Sequence, residues 1–259
     1  MLGKLKRKIN GWEWRAYGKH PGFKDFFDIG SHNTVLKALN DWVTKGFAVS
    51  DRQEQSMHLN LVSWRFWIQA PGENLIAGIV RDSSDRIGRK FPLIACGYGP
   101  LKSWHRHWSI VSMLCQTSWF QLEQLSSKPH EKLSDFEHGL DHLTHPAMGG
   151  GDVKLRSQEL NQWMNLLDNR IAQTMSASEL GKIFKQDRIS VPLMDTPLLT
   201  PDQLASCWVH AFFSANPVVP KAVFLGGNQD NKRIVFFNRP INSKDFKYLW
   251  HNDLHASDA

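Results

Sequence analysis

Three apolar segments between residues 61 and 96, separated by two different kinds of break, constrain the fold more than any other feature. Val62, Trp64, Phe66 and Ile68 alternate with Ser63, Arg65 and Gln69. A period of two is the repeat of a half-buried strand. Pro71-Gly72 ends that run as a turn. Residues 75–80 and 91–96 are two further apolar runs of strand length, and they flank the polar loop RDSSDRIGRK. Together the three runs predict an antiparallel sheet.

Helical spacing appears on both sides of this block. Asn33 is placed to cap a helix over 34–45, with Val35, Leu39, Trp42 and Val43 on one face and Gly46 as its stop. Over 105–125, Trp108, Val111, Cys115, Trp119 and Leu122 recur every three or four residues, which predicts a helix packed on the sheet. Leu133, Phe136, Leu140 and Leu143 suggest another helix, broken at Pro146 and Gly149-Gly150-Gly151. The glycine run is read as a linker, and the chain is divided there into 1–146 and 152–259.

The second half continues with a stripe of Leu160, Trp163, Met164, Leu167 and Ile171, and Ser176 with Glu179 forms a capping-box pattern. Thr200-Pro201-Asp202-Gln203 is a stronger start signal, with Leu204, Cys207, Trp208 and Ala211 behind it. Residues 223–226 and 234–237 read as a hairpin around GGNQDN. Phe246, Leu249 and Trp250 close the chain as a short helix before a frayed tail. The expected fold class is α+β: an antiparallel sheet with packed helices, then a mostly helical half with a C-terminal hairpin.

Charge and motifs exclude several kinds of function. The net charge of +6 resides in residues 1–24, where seven Lys and Arg face Glu13 alone, so the remainder is neutral. That distribution argues against a broad nucleic-acid-binding surface. Cys96, Cys115 and Cys207 form no C-x-x-C pair and read as small core residues in a reducing compartment. No run reaches the ~18 apolar residues that span a bilayer, and no signal-peptide core follows the basic start. There is no phosphate-loop spacing, no G-x-S-x-G elbow and no H-E-x-x-H, and no cofactor is expected. His138, His142 and His145 stand at i, i+4 and i+7. That spacing supports two readings, an exposed polar face or a metal-assisted enzyme of unknown class.

Two segments are left unexplained by composition, GKHPGFKDFF at 18–27 and SSDRIGRKFPL at 83–93. In the second, Asp85 with Arg86 or Arg89 can form an ion pair that fixes the loop, and Gly88 supplies a turn. The segment is therefore either a salt-bridged hairpin or a partner-binding loop. Lys19, Pro21, Asp25, Ser84, Asp85, Arg86, Gly88 and Arg89 are the candidate binding residues, and the many Trp are candidate interface anchors.

These segments also carry a resemblance. GKHPGFKDF, then Asp41-Trp42, then WRFWIQAPG, then SSDRIGRKFPL agree in order and spacing over 17–93 with the TagF (ImpM) family. His20 stands where that family has Leu, and Lys24 where it has Gly. The resemblance implies a longin-like first half. It also implies a cytoplasmic, non-enzymatic protein that modulates a bacterial type VI secretion system after translation. Implied partners are type VI secretion components, among them an FHA-domain scaffold of the threonine-phosphorylation branch. A third reading, an adaptor for a membrane surface or nucleic acid, rests on the basic N-terminal tail.

Overall fold

The computed structural model describes residues 11–50, 61–174, 186–193, 197–215 and 218–250. The basic stretch 1–10, the Ser176/Glu179 pattern and the tail lie outside the described residues.

Eight strands form one sheet. They are β1 (Glu13–Gly18), β2 (Phe27–Gly30), β3 (Ser63–Gln69), β4 (Asn74–Arg81), β5 (Leu93–Pro100), β6 (Arg188–Pro192), β7 (Ala222–Gly227) and β8 (Lys232–Phe237). Their order is β2-β1-β5-β4-β3-β7-β8-β6, and every neighbouring pair is antiparallel. The α+β expectation and the β3-β4-β5 meander are therefore met. Three strands were not foreseen. β1 and β2 are short and mixed in polarity, and β6 (RISVP) ends in proline, which is tolerated at a sheet edge. The expected C-terminal hairpin, β7-β8, extends the same sheet through the β3–β7 ladder. Residues on both sides of 146–152 thus contribute to one sheet and to both layers of core.

Helices cover both faces. On one side lie α1 (Thr34–Val49) and α6 (Ser243–Trp250), packed over Trp64, Phe66, Ile76, Ile94 and Phe224. On the other lie α2 (Val111–Ser127), α3 (Leu133–Asp141), α4 (Gly150–Thr174) and α5 (Pro201–Ala215), over Trp67, Ala77, Ile79, Ala95 and Val223. β3 is therefore a central strand covered on both faces, not a half-buried one. Its outlier is Arg65, on the Trp67 side. The guanidinium meets Glu123 of α2 through Nε and Nη2 at 2.7 and 2.8 Å, and Asp202 of α5 through Nη1 at 2.6 Å. Burial works against the charge of Arg65, but its hydrogen bonds to Glu123 and attraction to both carboxylates prevail and raise its pKa.

Packing overrides some local signals and leaves others intact. Asn33 caps α1, its Oδ1 accepting the Val35 amide at 2.9 Å. Thr200 and Gln203 form the reciprocal capping box of α5, at 2.8 and 3.3 Å. Gly46, however, does not stop α1, which continues to Val49. A Cβ at Gly46 would lie 2.3 Å from Phe246 Cβ, so this glycine lets α6 approach α1. The glycine run is not a structureless linker either, since α4 begins at Gly150. The 105–125 helix is preceded by two 3₁₀ turns, Trp104–Arg106 and Trp108–Ile110, and becomes α-helical only from Val111.

The tryptophans belong to the core. None of the eleven is exposed, and Trp14 and Trp163 are the only half-buried ones. Trp42 of the Asp41-Trp42 pair donates its indole N–H to the Asn242 carbonyl at 2.7 Å, tying α1 to the chain entering α6. The expectation that Trp anchors a binding interface is therefore corrected. The three cysteines are buried thiols, and removal from water pushes Cys96 and Cys207 up to about 12.

Candidate binding surface

The two segments that composition left unexplained meet at the end of β1. Lys19 Nζ lies 3.0 Å from Asp85 Oδ2, with both side chains almost completely removed from water. The same oxygen accepts from Arg89 Nε at 2.6 Å, and Asp85 Oδ1 accepts the amides of Ile87 and Arg89 at 3.1 and 2.9 Å. Burial alone would raise the Asp85 pKa. The hydrogen bond from Lys19 and those from the Arg89 amide and side chain outweigh it and bring the group down to about 2.

Asp85 is thus the hub of a tight loop. Its backbone closes the turn, with Asp85 N donating to Arg89 O and Gly88 N to Asp85 O at 3.1 and 2.9 Å, and Gly88 takes a left-handed φ of +88°. Ser84 bridges Lys90 across the base of the loop. Sequence reasoning named Asp85 as the fixing carboxylate and Arg89 as a partner. The more buried partner, Lys19, went unpaired in that reading because it lies 66 residues away in the chain. Arg86 does not pair with Asp85. Its amide donates to Phe23 O at 2.8 Å, and its side chain faces outward.

A second set of contacts joins the GKHP turn to the loop. Arg89 Nη2 donates to Lys24 O at 2.9 Å and lies 3.6 Å from Asp25 Oδ1. Pro21 and Asp25 are exposed at the rim. The site residues named from sequence are therefore brought together: Lys19 and Asp85 form the root, and Pro21, Asp25, Arg86, Gly88 and Arg89 the outer surface. Reasoning from sequence missed the exposed apolar side chains beside them. Phe26 is 48% exposed and Ile87 is 70% exposed. The signal was present, because an isoleucine inside DRIGRK is the one large apolar residue in a polar loop.

His20 turns inward beside them. Its Nδ1 accepts the Gly22 amide at 3.0 Å, and its ring packs against Phe23, Phe136 and His130. Burial first, then repulsion from His130, lowers its pKa from 6.5 to about 4. The folded chain therefore refuses a proton that the unfolded chain accepts. The stability contribution is complete above pH 6.5 and declines as pH falls toward about 4. Thermal melts over that range should show the decline, and His20→Leu should flatten it. An unchanged pH slope in His20→Leu would assign the decline to other groups.

The histidine cluster is not realised as a triad. α3 ends at Asp141, so His145 leaves the helical face. The rings of His138 and His142 lie 4.1 Å apart at a 44° tilt, and His142 Nδ1 is engaged by the His138 carbonyl at 2.7 Å. Among the described residues no group of three or more His, Cys, Asp or Glu is arranged to hold a metal ion.

The family described as "TagF N-terminal domain, Type VI secretion system-associated" matches residues 15–144, which include the residues of the pinned loop and of the GKHP turn. The chain belongs to the TagF family. This family membership makes it a type VI secretion-associated protein. The crystal structure of PA0076 from Pseudomonas aeruginosa PAO1 is similar over 92% of this chain and 94% of that one, at 18% identity and a TM-score of 0.50, which bears on the fold. None of the curated proteins matches the chain. Among the described residues of this TagF-family chain, no helix is long and apolar enough to cross a membrane.

Proposed function

We propose that this chain is a cytoplasmic accessory protein that regulates a type VI secretion system by binding another of its proteins, without catalysis. The observation that carries this reading is the pinned loop. Ile87 stands in water next to Arg86 on a turn whose root is locked by Lys19, Asp85 and Arg89, and Phe26 is half exposed on the adjoining segment. A loop already fixed in place loses little freedom on binding, and exposed apolar and Arg side chains on such a loop suit an interface centre. Family membership supports the secretion context. The FHA-domain scaffold is the first partner to test.

The test is capture from native cytosol with a C-terminal tag, comparing wild type with Ile87→Asp and Arg86→Ala variants whose circular dichroism is unchanged. Wild type should recover the FHA-domain protein or another secretion component. Ile87→Asp should recover about tenfold less, and Arg86→Ala less by a smaller factor. Undiminished recovery by folded Ile87→Asp would remove this surface from the interface. Failure of wild type to recover any secretion component would sink the regulatory reading.

A further inference from the structure

Beside the pinned loop runs a groove of about 560 Å³, between the loop and the last turns of α1. Its floor is aromatic. Phe91 packs edge-on against Phe26 at 4.6 Å and against Phe47 at 5.1 Å, while Ala48 forms the far wall. Its lip carries Arg89 and Lys90, and among the described residues no carboxylate lines it. That volume lies within the range of sites that seat small ligands or short peptide segments.

The charge of the two described segments beside the groove is one-sided. Residues 19–26 and 84–91 contain Lys19, Lys24, Arg86, Arg89 and Lys90 against Asp25 and Asp85, five cations to two carboxylates, a net +3. Both carboxylates lie within ion-pair range of cations of the same surface. A second copy of this chain docking by the same face would bring two such surfaces together, which charge disfavours. We infer that the groove takes a short acidic segment of the partner protein, with one large apolar side chain seated on Phe26, Phe47 and Phe91 and its carboxylates toward Arg89 and Lys90. This deepens the reading of the surface as protein-binding and rests on it. Aromatic floors supply affinity through apolar burial, and the cationic lip supplies selection and a faster encounter that salt weakens.

A random dodecapeptide phage library panned on the full chain tests the inference without a known partner. Enriched peptides should combine Phe, Leu or Trp with at least two Asp or Glu. A fluorescent synthetic copy of the leading sequence should bind wild type, lose affinity as salt rises, and bind at least tenfold more weakly to Ala48→Trp, which fills the groove, and to Lys90→Glu. No enrichment, enrichment of neutral or basic peptides, or equal binding to folded Ala48→Trp overturns it. So does a dimer of the wild-type chain that Ala48→Trp dissociates. Running Ala48→Trp in the cytosolic capture separates the two proposals. If it captures as wild type does while Ile87→Asp does not, the surface stands and the acidic-segment inference falls. If both variants capture fully, the surface itself is wrong.

Discussion

Gly18→Ala should lower the stability of the chain by about 3 kcal/mol, the sum of backbone strain and a steric clash. Gly18 closes β1 with φ of +126°, and a Cβ there would lie 2.0 Å from the Pro92 carbonyl oxygen and 3.0 Å from Leu93 Cα. The obstacle is backbone, which cannot swing aside as a side chain can. Gly18 is also paired on both sides, with Phe27 of β2 and Leu93 of β5, so the strand has no free edge toward which to move. Gly88→Ala is the matched control. Gly88 has a comparable φ of +88° with nothing within 4 Å of an added Cβ, so it reports strain alone. Urea titrations of the two variants give the difference. If Gly18→Ala costs no more than Gly88→Ala, the clash with Pro92 does not limit the fold.

Lys19→Ala should lower Tm by about 5 °C or more, because removing one partner of a buried ion pair leaves the other short of charge. Asp85 would keep Arg89 and two backbone amides but lose the cation that is itself buried. Its pKa, now about 2, should rise toward the ordinary 3.8. In the wild type this carboxylate contributes stability that is complete above 3.8 and is lost as pH falls through about 2. In the variant less is contributed, and it is lost at higher pH. Carbon-detected NMR titration of Asp85 and thermal melts check both halves. Partner capture should also fall although Ile87 is untouched, and Lys19→Arg should restore most of it. An unaltered Tm together with an Asp85 pKa still near 2 would mean that Arg89 alone holds the loop.

How far the sequence could be read follows from which forces are local. Caps were legible because Asn33 and Thr200-Gln203 complete their hydrogen bonds within four residues. The β3-β4-β5 meander was legible for the same reason, its partners following one another in the chain. Gly46 was misread because its role is set by Phe246, two hundred residues later. The covering of the Arg65 face escaped notice because a strand covered on both faces can alternate like a half-covered one when a half-buried arginine has two carboxylates to meet. In the candidate site, the intraloop pair Asp85–Arg89 was foreseen and the cross-chain pair Lys19–Asp85 was not. The family resemblance had already placed both segments in one pattern, but spacing alone carries no information about contact.

The β3–β7 ladder joins residues 63–69 to 222–227, and this has a bearing on biosynthesis. When β3, β4 and β5 have left the ribosome, one edge of β3 still lacks its neighbour, and about 120 more residues must be made before β7 emerges. At ordinary translation speeds that interval is roughly 6–24 s. For that time the nascent chain presents an unpaired, aromatic strand edge, the kind of surface that recruits chaperones or another nascent copy. A chain truncated where the family match ends, at residue 144, would keep that edge indefinitely.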